Sequence, residues 1–266
     1  MSLLELVQVT KEFPFRPRKH LWWKKAGRFQ AVKQVSLQLN QGECLGVVGE
    51  SGSGKSTLAK LIMNLVPVTK GDILLNGCSI RQMKDLEVFK RMQLVLQDSH
   101  SALHPKMSVR EIIQEPLLNF FPGENIKREA TCLQLMEMAG IDKNLLDRRP
   151  YQLSGGQKQR VCIARALAVK PDVIIFDESI ASIDQEAQQS ILNRLKYIQA
   201  QENVAYLFIT HDIETLKEFC QRVAVMYEGE IIDIFEEWKI SQLTHPYSRL
   251  LLETSEETEI KIAQES

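Results

Sequence analysis

The sequence predicts an α/β fold in which a mainly parallel sheet is interrupted once by a helical insertion. Three observations carry this expectation. Short apolar runs such as "CLGVV", "DVIIF" and "VAYLFIT" show no polar alternation, as strands covered on both faces must. Segments with apolar residues at helical spacing stand between them, the order from which parallel sheets are built. From about Asp98 to Gln152 the strand signals stop and the pattern turns mostly helical.

Taken in order, "LLELVQV" and "AVKQVSLQL" suggest opening strands, and "CLGVVG" is a buried strand stopped by glycine. "TLAKLIMNLV" has helical spacing, "GDILLNG" is a strand flanked by turns, and "MQLVLQ" is a buried strand. The insertion contains "VREIIQEPLLNF" and "REATCLQLMEMAG". Strands then return as "DVIIFD", "VAYLFIT" and "RVAVMYEGEII", separated by helices. There is no internal repeat and no low-complexity linker. The basic stretch "RPRKHLWWKK", residues 16–25, reads as a solvated loop with an aromatic anchor; contact with a partner or a membrane surface is the alternative.

At 266 residues the chain can bury one large core, with or without an inserted subdomain. Thirty-three Lys and Arg against 34 Asp and Glu leave a net charge of -1, so nothing in the balance asks for nucleic acid. The five cysteines lack CxxC spacing, which points to reduced thiols of a cytosolic protein and away from zinc or iron–sulfur sites. His100 and His104 stand at i, i+4 with no third ligand nearby, so a metal site is not expected there. The start "MSLLELVQVTKEF" does not read as a signal peptide. No run approaches the roughly 18 apolar residues of a membrane span. A soluble protein is expected, one that serves a membrane only through a partner.

"GESGSGKST", Gly49 to Thr57, lies between the "CLGVV" strand and the "TLAKLIMNLV" helix. It fits G-x-x-x-x-G-K-[ST] in the strand–loop–helix setting that the motif requires. Gly49, Gly52 and Gly54 permit tight turns, so the backbone N–H groups of Gly49, Glu50, Ser51, Gly52, Ser53, Gly54 and the residues after them can converge on phosphate oxygens. The helix start, at Lys55, Ser56 and Thr57, adds a dipole favourable to the phosphates. Lys55 is expected to reach the β- and γ-phosphates and Ser56 to offer its hydroxyl to Mg²⁺. The guanine-reading Asn-Lys-x-Asp pattern is absent, which favours ATP.

A second small-residue stretch, "LSGGQKQR", opens the helical run "VCIARALAVKP". Ser154, Gly155, Gly156 and Gln157 can form another anion site; a plain helix cap with Ser154 as N-cap is the other reading. With both motifs present, the chain resembles the ATP-binding subunit of an ABC transporter over roughly residues 3–250. The resemblance implies a P-loop, RecA-like ATPase core with an N-terminal antiparallel β element. It assigns 1–97 and 158–236 to that core, 98–157 to the inserted α-helical subdomain, and 237–266 to a C-terminal extension. It also implies two cassettes sandwiching two ATP molecules, each held by one subunit's cradle and the other's Ser-Gly-Gly.

The same resemblance assigns further residues. Gln97 corresponds to the glutamine that senses Mg²⁺ and the attacking water, and His211 in "FITHD" to the histidine that contacts the γ-phosphate. Phe13 stands where these proteins stack an aromatic ring on adenine, with a core position as the alternative. "VIIFD" followed by Glu178 fits the Walker B pattern: Asp177 holds Mg²⁺, and Glu178 is the general base. The family usually continues Pro-Thr-Ser-Ala-Leu-Asp. Here the residues are Ser179, Ile180, Ala181, Ser182, Ile183 and Asp184, so the acids are kept and the loop between them differs. A hydrolytic site with altered fine positioning is expected.

Two stretches narrow the subfamily. "QDSHSALHPKMSV" resembles the "QDP-x-x-SLNPRMTV" stretch of the peptide and nickel uptake family, and "THPYSRLLL" resembles its "HPYT-x-x-LL" tail. "QRVCIARALAV", "LFITHD" and "FCQRVAVM" resemble the second ATPase of nickel importers more than the peptide ones. The implied partners are a second ATPase subunit, two membrane permeases and an external solute-binding protein, at the cytoplasmic face of the membrane. A peptide importer, an exporter and a non-transport ABC ATPase stand as alternatives.

Overall fold

In the computed structural model the unalternated apolar runs become the middle strands of a six-stranded sheet. The structure describes residues 2–15, 27–123, 127–180, 183–236 and 238–253. The basic stretch 16–25 lies outside the described residues, as do Ala181 and Ser182.

The chain begins with β1 (Ser2–Phe15) and β2 (Gly27–Asn40), then β3 (Cys44–Val48) and α1 (Lys55–Ile62). β4 (Lys70–Leu75), β5 (Cys78–Ser79), α2 (Asp85–Arg91) and β6 (Met92–Leu96) follow. The insertion supplies α3 (Ser99–Ala102), α4 (Val109–Phe120) and α5 (Arg128–Ala139), and leads into α6 (Gly155–Leu167). The remainder runs β7 (Val173–Asp177), α7 (Gln185–Glu202), β8 (Ala205–Thr210), α8 (Ile213–Phe219), β9 (Arg222–Tyr227) and β10 (Glu230–Glu236). One sheet has the order β10-β9-β3-β8-β7-β6, and all its neighbours are parallel except the β9–β10 hairpin. The other, β2-β1-β4-β5, is antiparallel.

The parallel sheet has a hydrophobic core on each face, and strand periodicity distributes its residues between them. From β7, Val173 and Ile175 enter one core, while Ile174 and Phe176 enter the other. From β8, Leu207 and Ile209 go one way, Tyr206 and Phe208 the other. That division is why the runs carry no polar alternation. The first core lies against the antiparallel sheet and takes Leu58, Leu61 and Ile62 of α1. The second unites α6 and α7 with buried residues of α4 and α5, so the insertion shares its core with the parallel sheet.

Local signals set the helix ends. Ser108 and Glu111 form a reciprocal capping box at the start of α4. Gly140, at φ 67°, ends α5 in the left-handed conformation that favours glycine. Arg165 of α6 donates to the Ala102 carbonyl at 2.7 Å, tying α6 to α3. Because α6 begins at Gly155, a division of the chain at 157/158 falls inside a helix. All five cysteines are free; Cys78 is exposed and the other four are buried.

The segment after β10 folds back onto the core. Leu243 and Leu252 are buried within it. The Asp233 carboxylate on β10 accepts from the Thr244 N–H at 3.0 Å, the Thr244 hydroxyl at 2.6 Å and the His245 N–H at 3.0 Å. Burial alone would raise the Asp233 pKa, but hydrogen bonds from this tail outweigh it and hold the carboxyl below its ordinary value. The stabilisation is therefore fully present above the unfolded-state value of about 3.9 and is lost as pH falls through the lower folded-state value. Asp233→Asn places an amide donor against one of the N–H groups. It should cost about 1–3 kcal/mol in urea unfolding at pH 7, with the difference from wild type shrinking below about pH 4.

Candidate functional site

Register in the parallel sheet aligns four strand ends. Val48 of β3 pairs with Thr210 of β8, Ile209 of β8 with Asp177 of β7, and Asp177 with Leu96 of β6. The residues that follow these ends are Gly49, His211, Glu178 and Gln97. Four sequence-predicted site positions thus leave neighbouring strands in one row, at the carboxyl edge where open α/β sheets bind ligands.

The loop after β3 is shaped by close approaches that exclude side chains. A Cβ at Gly49 would lie 2.1 Å from the Met226 carbonyl oxygen. At Gly54, φ is 109° and a Cβ would meet the Ala31 carbonyl oxygen at 2.3 Å. Gly54 leads directly into α1, whose amino end has no side-chain cap. Its first N–H groups are therefore suited to an anion. The Ser53 hydroxyl is buried in the same loop without a hydrogen-bond partner. Glu50, Ser51 and Gly52 are exposed at the loop's outer turn, and Thr57 is half-buried in α1.

The Lys55 ammonium is folded back onto the loop, donating to the carbonyls of Gly49 at 2.6 Å and Glu50 at 2.8 Å. Burial lowers its pKa, and the carboxylates of Glu178 and Asp177 oppose that shift. The Ser56 hydroxyl donates to Asp177 Oδ1 at 3.2 Å. Asp177 is itself buried at the end of β7; burial raises its pKa, and the hydrogen bond from Ser56 works against the rise. Ser56 and Asp177 together form a pair of hard oxygen donors of the kind Mg²⁺ takes.

Glu178 leaves the strand in a left-handed conformation, φ 49°, while its N–H donates to the Ile209 carbonyl at 2.7 Å. Such a conformation costs a non-glycine residue about 1–3 kcal/mol. It turns the chain abruptly at the sheet edge. Glu178 Oε1 stands 3.7 Å from His211 Nδ1, and His211 is largely exposed. Ser179 and Ile180 are buried behind Glu178, and the Ser179 hydroxyl has no partner. Asp184 caps α7 by accepting from the Ala187 N–H at 2.9 Å. Gln97 is exposed just past β6.

Ser154 also serves as a helix cap. Its hydroxyl accepts from the Gln157 N–H, and Gln157 Oε1 accepts from the Ser154 N–H at 2.9 Å. Within one chain the cap reading is satisfied. Gly155 and Gly156 differ in their surroundings. A Cβ at Gly156 would come within 3.1 Å of the Ala187 side chain, so α6 and α7 approach closely there. A Cβ at Gly155 meets nothing nearer than 3.9 Å, and Ser154 and Gly155 are exposed.

Phe13 lies on β1, about one-third exposed, with the Lys11 ammonium 4.9 Å from its ring centroid. Its register partner on β2 is Phe29, the more exposed of the two. Sequence reasoning missed Phe29, and it missed Tyr247, whose hydroxyl accepts from the Glu50 N–H at 3.1 Å. Neither has a local sequence pattern that connects it to the loop.

Comparisons with known proteins agree with this geometry. The family described as ABC transporter matches residues 32–181. A Brucella abortus protein (strain 2308) named as a peptide import ATP-binding protein is 42% identical over 230 residues, covering 85% of this chain and 69% of the relative. The nickel import ATP-binding protein NikE of Brucella suis biovar 1 is 36% identical over 256 residues, covering 95% of each. Among solved structures, a dimeric ATP-binding cassette in a post-hydrolysis state bound to ADP and phosphate superposes with TM-score 0.75. It is 28% identical and covers 88% of this chain and 98% of that one. A nucleotide-free cassette from an ABC transporter gives 0.74 at 26% identity, covering 89% and 92%.

Proposed function

Because the chain belongs to the ABC transporter family, we propose that it is the ATP-hydrolysing subunit of an importer of the peptide and nickel class. The observation that carries the hydrolytic role is the row of Gly49, His211, Glu178 and Gln97 along one sheet edge; the importer class is supported by the relatives. The triphosphate of ATP lies in the loop from Gly49 to Thr57, against the uncapped start of α1. Lys55 exchanges the carbonyls of Gly49 and Glu50 for β- and γ-phosphate oxygens. Phe13 offers its ring face to the adenine.

Asp177, Ser56 and Gln97 are the residues that would hold Mg²⁺; when bound it neutralises charge on the β- and γ-phosphates. Glu178 accepts the proton of the attacking water. His211, beside Glu178, donates a hydrogen bond to the γ-phosphate. Ser179 and Ile180 are buried behind these groups, so the altered sequence from Ser179 to Ile183 tunes their placement and leaves the reacting residues in place.

One chain carries one phosphate cradle and one Ser-Gly-Gly, and Gly155 faces outward. Two chains are needed to bring Ser154, Gly155, Gly156 and Gln157 of one onto the ATP of the other, with Asp184 nearby. We assign the second cassette to a partner ATPase, and the pair to two permeases and an external solute-binding protein. No helix among the described residues is long and apolar enough to cross a membrane. We assign membrane contact, at the cytoplasmic face, to the permeases. For cargo we favour nickel or another divalent metal, free or chelated, on the end-to-end correspondence with the nickel import relative. A di- or oligopeptide is the second reading, favoured by the 42% identity to the peptide import relative. Uptake of radioactive nickel and of labelled peptide by cells carrying or lacking the complex separates them.

Lys55→Ala removes the charge aimed at the phosphates, and ATP binding by the purified chain should be nearly abolished. Wild-type hydrolysis by the complex containing this variant would contradict the loop assignment. Gly155→Ala has room within the monomer, since a Cβ there meets nothing nearer than 3.9 Å. ATP binding and unfolding of the isolated chain should therefore be preserved while turnover by the assembled complex drops at least tenfold. Unimpaired turnover would leave Ser154 and Gly155 as a cap only.

A further inference from the structure

The phosphate loop is held from outside by a residue 197 positions away. The Glu50 N–H donates to the Tyr247 hydroxyl at 3.1 Å. Tyr247 belongs to the tail segment after β10, and its own placement is fixed several times over. The Asp233 carboxylate anchors Thr244 and His245 just before it. The Tyr247 N–H donates to His245 Nδ1 at 3.1 Å. Its ring lies 4.4 Å from that of Tyr227, inclined by 33°. Tyr227 ends β9, next to Met226, whose carbonyl is the oxygen that excludes a side chain at Gly49. Tail, β9 and phosphate loop therefore form one packed unit.

Residue 50 is gripped on both sides of its backbone. Its N–H is held by Tyr247 and its carbonyl by the Lys55 ammonium. On the reading given under Proposed function, Lys55 turns to the phosphates when ATP binds and releases that carbonyl. The Tyr247 contact is then the grip that persists on the outer turn. We propose that Tyr247 is a positioning residue of the phosphate loop, through which docking of the C-terminal tail and occupancy of the nucleotide site are coupled. The coupling runs both ways by linkage: a docked tail favours ATP, and bound ATP favours a docked tail.

Tyr247→Phe is the direct test, because it keeps the ring packing on Tyr227 and removes only the hydroxyl. Two measurements on the purified full chain read it. Amide hydrogen exchange without nucleotide reports Glu50, and titration with ATP and Mg²⁺ reports affinity. The Glu50 amide should exchange faster, and ATP affinity should fall about 2- to 10-fold, the usual worth of one such hydrogen bond. In the assembled complex KM for ATP should rise by a similar factor with kcat unchanged. ATP should also slow amide exchange over residues 238–253 in the wild type and do so less in Tyr247→Phe. Asp233→Asn, which loosens the tail, should lower ATP affinity in the same direction. Unchanged Glu50 exchange, or faster Glu50 exchange with unchanged ATP affinity, would overturn the positioning role. Wild-type ATP affinity in Lys55→Ala would instead overturn the nucleotide-site reading; the nucleotide-free exchange measurement does not depend on it.

Discussion

Parallel register is the constraint on which the rest of the structure depends. Neighbouring strands lie about 4.8 Å apart. Ending β3, β8, β7 and β6 in line therefore sets one residue from each side by side along the carboxyl edge of the sheet. A slip of one residue in any strand would invert its side chains between the two cores. Ile175 and Ile174 would exchange environments, and Glu178 would leave the row. Packing on both faces thus enforces the geometry that the chemistry needs.

The cost of the site is borne at its edge. Glu178 is held in a left-handed conformation, Lys55 and Asp177 are buried with their pKa values displaced, and the hydroxyls of Ser53 and Ser179 lack partners. The strands immediately behind are fully buried and apolar. A stiff core can support such local strain because nearby backbone has no alternative packing. The same logic explains why the loop is gripped by the tail as well as by its own lysine.

Much of this was legible in the sequence, and what was missed has a common physical cause. Strands buried on both faces leave unbroken apolar runs, and a phosphate loop does its work with consecutive backbone groups, so both are written locally. Those two signals together with "LSGGQKQR" carry the resemblance that implies the ABC ATPase fold, and solved cassettes share that fold. Contacts between distant segments leave no periodic trace. The Tyr247–Glu50 hydrogen bond, the close packing of Gly156 on Ala187 and the pairing of Phe13 with Phe29 each join segments that no spacing relates. The two-residue strand β5 is too short to show a period, whereas α6 runs unbroken across residue 157 from the cap that Ser154 marks in the sequence. In the sequence the tail marks a subfamily; in the folded chain it reaches the phosphate loop.

The central claim is that the row at the sheet edge is a working hydrolytic site completed by a second cassette. Glu178→Gln tests it most directly, since the amide keeps the size of the carboxylate and loses the charge that activates water. Measured with the cognate ATPase and permeases, turnover at this site should fall about 10²- to 10⁴-fold. ATP should also remain trapped between associated cassettes, seen as nucleotide co-eluting with the complex. Undiminished turnover with no trapped ATP would contradict the account and place the hydrolysis in the partner's site.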